Sequence, residues 1–166
     1  MRIAANALSN PTNPTMALHL RETEAAARAL RVLLHILDAG DPEELDRAFA
    51  RMTRGRADAL VVFGDPTFLA QRRRIVQLAA KSRLPAIFWR MEFVEEGGLM
   101  AYGSNLAAEY RRAATYVDKI LKGTKPADLP VEQPMRFEMV INMRTAKALG
   151  ITFPQSILIR ADQVIQ

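Results

Sequence analysis

The feature that most constrains this chain is an alternation. Over residues 1 to 90, short apolar runs trade places with longer amphipathic stretches. The runs Ile3 to Leu8, Val32 to Leu37, Ala57 to Phe63 and Leu84 to Trp89 have the length and composition of strands. Between them lie three helical stretches. The first starts at Thr15, which is placed to cap it, and reaches about Leu30, with Met16, Leu20, Ala27 and Leu30 inward. The second opens on Asp41-Pro42-Glu43-Glu44, a cap, a first-turn proline and a capping-box glutamate, and ends at Gly55. The third runs from Thr67 to Ser82, with Leu69, Ile75, Leu78 and Ala79 inward. Strand–helix alternation of this kind implies parallel strands, right-handed crossovers and helices on both faces, the α/β class. The unbroken Val32–Leu37 run predicts a strand buried on both faces, with His35 packed and hydrogen-bonded inside it.

Composition removes whole classes of chemistry. The chain has 166 residues, enough for one domain with its own core. It has no cysteine, which excludes disulfides, thiol nucleophiles, iron–sulfur clusters and Cys-containing zinc sites. Two histidines, His19 and His35, rule out a three-His metal site. The net charge of +5 is scattered. Its densest run, Arg72-Arg73-Arg74 followed by Lys81 and Arg83, splays around a helix and reads as a solvated face, so no nucleic-acid partner is expected. No apolar run approaches the length that spans a bilayer. Ile3 to Ser9 is too short, and too broken by Asn6, for an export signal.

The later part changes character at Gly97-Gly98, which looks like a hinge-like break. A short strand, Leu99 to Tyr102, leads into a helix over residues 106 to 122 stopped by Gly123. Lys125-Pro126-Ala127-Asp128-Leu129-Pro130 reads as an extended linker. Phe137 to Asn142 is a further strand, and Asn142 caps a short helix closed by Gly150. Pro154 and residues 156 to 165 form the tail.

In an open parallel sheet, ligands bind outside the carboxyl ends of the strands. Three loops qualify: Asn10 to Thr15, Gly64-Asp65-Pro66-Thr67, and the segment after Trp89 with Arg90 and Glu92. A helix start offers N–H groups to an anion, while the Asp65 carboxylate accepts from an ammonium group, so the loops together suit the two ends of a zwitterion. Asp65 equally suits a helix cap, Asn10 and Asn13 equally shape turns, and Trp89 equally packs. Tyr102 either stacks on a ligand or buries its ring. No Gly-x-Ser-x-Gly elbow, Walker loop or dinucleotide glycine fingerprint occurs, and no nucleophile stands with a base. The expectation is a binder without cofactor or metal, not an enzyme.

A longer series of motifs carries a resemblance. It comprises Gly97-Gly98-Leu99-Met100-Ala101-Tyr102-Gly103, the run Tyr110 to Gly123, and Lys125-Pro126-Ala127-Asp128-Leu129-Pro130-Val131-Glu132-Gln133-Pro134. Ile141-Asn142 with Thr145 to Gly150, Arg160-Ala161-Asp162, Asn10-Pro11 through Pro14 and Ala57 to Leu60 extend it. The chain resembles the ABC-transporter substrate-binding proteins of the tryptophan/tyrosine type. That resemblance implies the carboxyl-terminal half of a type I periplasmic binding fold, a three-layer lobe with a parallel sheet and a strand–helix segment crossing from the other lobe. Residues 1–96 would form the second-lobe core, 97–129 the crossing segment and 130–166 the return. It implies Asn10, Asn13, Asp65, Thr67 and Tyr102 as solute-facing residues. It implies an amino-acid-like or aromatic solute, an ABC permease partner and a periplasmic location, or a cytoplasmic one if the chain is expressed as written. The alternative is a cytoplasmic sensor or interaction module that dimerises through residues 110–121.

Overall fold

A computed structural model describes residues 3–133 and 136–166; Met1, Arg2 and the Pro134 of the quoted linker motif lie outside the described residues. The strands are β1 (Ala4–Ser9), β2 (Leu33–Asp38), β3 (Ala59–Val62), β4 (Ala86–Phe88), β5 (Met100–Ser104), β6 (Phe137–Asn142) and β7 (Gln163–Ile165). They form one sheet in the order β2-β1-β3-β4-β5-β6-β7. All neighbours are parallel except β5 and β6. The helices are α1 (Met16–Ala29), α2 (Pro42–Arg54), α3 (Pro66–Ala70), α4 (Arg72–Lys81), α5 (Met91–Glu95), α6 (Leu106–Leu121), α7 (Met143–Leu149) and α8 (Gln155–Leu158). This is the expected α/β architecture.

Crossover handedness sorts the helices. The β1-to-β2 connection runs one way along the sheet and the next three run the other, so α1 lies on the face opposite α2, α3–α4 and α5. The core sits on the second face. Leu8, Leu37, Leu60, Val62, Phe88 and Val140 from the strands meet Leu45, Phe49, Met52, Phe68, Ile75, Val76, Phe93 and Val94 from those helices. Phe88 and Phe93 stack with ring centroids 4.6 Å apart. On α1's face Ala7, Met16 and Ala27 are buried outside that cluster.

Several local expectations change. Strand β2 is the sheet edge, not a strand buried on both faces; its apolar run is largely exposed and His35 is open to solvent. A continuous apolar run does not reveal whether a second neighbour exists. Leu30, expected inward, is 74% exposed because α1 ends one residue before it. Thr15 makes no side-chain cap; instead its N–H and hydroxyl donate to Asn13 Oδ1 at 3.0 and 2.8 Å. The helix expected over 67–82 breaks at Gln71 into α3 and α4. The three arginines tie helices together: Arg72 and Arg73 meet Glu96, and Arg74 meets Asp46 of α2. Helix α5 fills what reads as loop, and the tail adds α8 and β7. The caps at Asp41, Asn142 and Gly150 form as anticipated.

Glycines set the spacing around β4 and β5. Gly97, at φ +101°, ends α5, and Gly98 N–H donates to Phe93 O at 2.8 Å. At Gly103 a Cβ would sit 2.0 Å from the Trp89 carbonyl oxygen, so β5 lies against the β4 exit only because that side chain is absent. Gly103→Ala is expected to lower stability by about 1–3 kcal/mol or more, as overpacking against rigid backbone does. Urea unfolding checks this, with a lower midpoint at unchanged slope the expected result.

Candidate functional site

The carboxyl ends of β1, β3 and β4 lie side by side, and the loops leaving them form one surface. The first two loops are joined by a carboxylate. Asp65 is 2% exposed. Its Oδ2 accepts from Asn10 Nδ2 at 3.1 Å and Asn13 Nδ2 at 2.9 Å. Its Oδ1 accepts from Thr67 N–H at 2.8 Å and Phe68 N–H at 3.2 Å. The asparagine oxygens are used as well: Asn10 Oδ1 accepts from Thr12 N–H and hydroxyl, and Asn13 Oδ1 accepts from Thr15. Burial pushes the Asp65 carboxyl up, but the bonds from Asn13, Asn10, Phe68 and Thr67 outweigh it and hold it below the usual carboxylate range.

The structure therefore brings Asn10, Asn13, Asp65 and Thr67 together. It also changes the chemistry expected of them. The α3 amides anticipated for an anion are already taken by Asp65, and both Asp65 oxygens are already filled by protein donors. Asp65 is a helix cap that doubles as a cross-loop clamp. Thr67 Oγ1 carries no such bond among the described residues.

Beside this cluster the third loop is closed in the same way. Arg90 is nearly buried and grips Glu92 with Nε–Oε2 at 3.1 Å and Nη2–Oε1 at 2.6 Å. That contact holds Glu92 below the ordinary carboxylate range and Arg90 above the ordinary guanidinium one. The Arg90 guanidinium lies 5.2 Å from the Trp89 ring centre. A cleft of about 330 Å³ opens here, bounded by Trp89, Arg90, Ser104, Asn105, Tyr110 and Glu138.

Tyr102 stands apart from the loop cluster. It lies on α1's sheet face, 49% exposed, stacked on Phe137 at 5.7 Å. It lines a groove of about 490 Å³ with Val61, Phe63, Ile87, Trp89 and, from α1, Leu18 and His19. His19 Nδ1 and Trp89 Nε1 are buried there without a partner among the described residues. Phe63, Ile87 and His19 were missed in the sequence. The signal was present: in an extended chain, Val61 and Phe63 share a side, as do Ile87 and Trp89, opposite the core positions Leu60, Val62 and Phe88. Among the described residues, no group of three or more His, Cys, Asp or Glu side chains suits a metal ion. No helix is long and apolar enough to cross a membrane among them.

The model of the ABC transporter substrate binding protein family matches residues 5–165. The chain belongs to that family. Its fold agrees with solved structures. An ABC domain in complex with L-Trp from Streptococcus pneumonia superposes with a TM-score of 0.88 at 28% identity, covering 98% of this chain and 56% of that one. A conserved domain protein from Vibrio cholerae gives 0.86 at 24%, covering 97% and 54%. The ligand-free, open structure of CD0873, a substrate binding protein with adhesive properties from Clostridium difficile, gives 0.71 at 19%, covering 99% and 55%. The chain thus spans about half the length of these structures. Among curated proteins, none matches.

The clamp generates a prediction. Asp65→Asn keeps a carbonyl for one pair of donors but turns an NH₂ group on the other. It is expected to cost about 1.5–3 kcal/mol near neutral pH. Because the folded-state pKa of Asp65 is lowered, its carboxylate stabilises the fold above the unfolded value of about 3.9, and that stability fades as pH falls through the folded value. The gap between wild type and Asp65→Asn in denaturant titrations should therefore narrow from pH 6 toward pH 3. A constant gap would assign the loss to something other than the charge.

Proposed function

We propose that this chain forms one jaw of the solute-binding protein of an ABC import system, and that its ligand is amino-acid-like or aromatic. The observation that carries the reading is the rigid pairing of the β1 and β3 exit loops through Asp65. Such a surface is set before a ligand arrives, so little ordering entropy opposes binding. Asn10 and Asp65 act here as the support, and Asn13 and Thr67 form the rim that meets the polar end of the solute. The Thr67 hydroxyl is the uncommitted polar group on that rim. Tyr102, with the aromatic wall of Phe63 and Trp89 next to Gly64, takes the apolar part. The L-Trp in the Streptococcus complex supports this choice of ligand class.

In this reading residues 1–96 are the jaw, 97–129 cross toward an opposing lobe and 130–166 return. Closure of two such lobes on a solute is a hinge motion, and an ABC permease is the acceptor of the loaded, periplasmic form. The absence of a paired nucleophile and base among the residues named above favours capture over turnover.

Isothermal titration of the chain against a panel of amino acids and aromatic acids tests it. At least one amino-acid-like member should bind, and Thr67→Val and Tyr102→Ala should each weaken it about tenfold, which corresponds to about 1.4 kcal/mol. A folded protein that gives no heat with any member defeats the reading.

A further inference from the structure

Three helices end in the same way, and at each the sequence puts an arginine where glycine is usual. Arg31 follows α1, Arg56 follows α2 and Arg83 follows α4, and all three hold a left-handed backbone, at φ 56°, 51° and 51°. Each sits inside a closed helix end. Val32 N–H donates to Ala27 O at 2.9 Å, Ala57 N–H to Met52 O at 3.1 Å and Leu84 N–H to Ala79 O at 2.9 Å. Glycine is the ordinary residue at this point, because a side chain is crowded in that conformation. The chain itself uses glycine in the same motif after α6 and α7, at Gly123 and Gly150. The arginines stand instead at the helices that lead into β2, β3 and β4.

The fold sets these arginines side by side. Each lies at the entrance of a strand, and the strands run parallel. Leu33 and Ala59 pair with the adjacent residues Ala4 and Ala5 of β1, and Ala86 pairs with Leu60, so the entrances lie at one level. Strands β3 and β4 are neighbours and β2 lies beyond β1, which spaces the entrances by about 5 and 10 Å. Arg51 and Arg54 in the last turn of α2, and Lys81 in that of α4, add charge to the same edge. All six residues are exposed. Acids are placed differently. Glu43 and Glu44 occupy the first turn of α2, at its far end, and Asp58 at the β3 entrance is taken by Ala4 N–H at 2.8 Å. Arg83 donates to Ala148 O at 3.2 Å, a neutral partner. Positive charge that is scattered along the sequence is thus gathered at the amino-terminal edge of the sheet. Charge, not bareness, marks this edge: a protein cover over it would have to bring a matching set of acids, since unpaired guanidiniums are costly to bury.

We propose that this edge docks on an anionic lipid bilayer. The entrances lie at one level, and neither cleft described above reaches these arginines, so phosphates presented in a plane suit the edge better than a single small anion. Guanidinium groups hold phosphate oxygens in pairs, and each cation near an anionic surface adds to the attraction. Leu30 and Leu33, close to Arg31, are 74% and 42% exposed. Aliphatic side chains among cations suit the headgroup boundary, whereas a nucleic-acid surface supplies rings on which bases stack. Docking stands the strands on the membrane, with their carboxyl ends and the loop surface around Asp65 turned away from it. The proposal concerns surface charge and does not rest on the solute reading.

Vesicle sedimentation tests this with the chain as it is. The protein should sediment with phosphatidylcholine vesicles containing about one third phosphatidylglycerol and stay in solution with phosphatidylcholine alone. Raising salt from about 0.05 to about 0.5 M should release it. Arg31→Asn, Arg56→Asn and Arg83→Asn, made together, remove three charges at positions whose left-handed backbone asparagine tolerates. That variant should bind the anionic vesicles at least tenfold more weakly with its circular dichroism unchanged. Arg21→Gln, Arg47→Gln and Arg111→Gln, made together, remove the same charge from exposed sites on α1, α2 and α6 away from this edge. They should leave binding within about threefold of the unaltered chain. The proposal is overturned by no sedimentation with the anionic vesicles, by binding that salt does not weaken, or by equal losses in the two triple variants. Capture by soluble polyphosphate without binding to vesicles would assign the edge to a soluble polyanion and overturn it too. The lipid and salt dependence of the unaltered chain stands however the variants fold. None of these readouts needs a solute, so a silent titration and a failed docking are separate results.

Discussion

The working edge of this lobe depends on one buried carboxylate. Asp65 gathers two side-chain amides from the β1 exit and two backbone amides from its own helix start. Without it, Asn10 Nδ2 and the Thr67 and Phe68 amides would lose this acceptor at the junction of two loops, and Asn13 Nδ2 would keep only Gly64 O at 3.4 Å, a costly arrangement in a largely buried place. With it, the loops behave as one unit. The same economy recurs at the next strand, where Arg90 and Glu92 neutralise each other beside Trp89. The edge is polar in composition but largely satisfied. On the proposed reading a solute would meet a shaped rim with few free groups, and selectivity would fall to shape and to the aromatic wall beside it.

Among the described residues the sheet is covered more fully on one face than on the other, and this asymmetry follows from topology. Right-handed crossovers commit every connection from β2 through β5 to one side. Among the described residues only the β1–β2 connection serves the other side, and α1 leaves a groove over β3–β5. The next helix in the chain, α6, departs instead of closing the gap. The cause is local: a one-residue link and an asparagine that caps the helix while it is held by Glu138. A short polar contact thus decides where a long apolar helix goes.

Much of this was legible in the sequence, and the parts that were not share a reason. Caps announced themselves, since Asp41, Asn142 and Gly150 act through neighbours a few residues away. The parallel order followed from alternation. What stayed hidden were properties set by distant partners. The apolar run of β2 does not say that it lies at the edge, so His35 was misplaced into a core. Asp65 looked like a cap or a ligand group; only the fold brings Asn10 and Asn13 onto it, more than fifty residues away in sequence. The break at Gln71 and the helix α5 come with Phe68 and Phe93 fully buried among residues distant in sequence. The family resemblance placed Asn10, Asn13, Asp65 and Thr67 on one edge, but not what their atoms bind.

That distinction bears on how a single jaw holds a ligand. A residue on the rim contributes affinity only through atoms the protein has not already spent, since a buried donor or acceptor with a partner gains nothing by changing it. On this edge the spent atoms belong to Asn10, Asp65 and Arg90, and the unspent ones to Thr67 and the ring of Tyr102. On the reading proposed above, a solute held by this surface alone would keep one side hydrated and leave quickly. Residence then requires a second surface to exclude water from the other side.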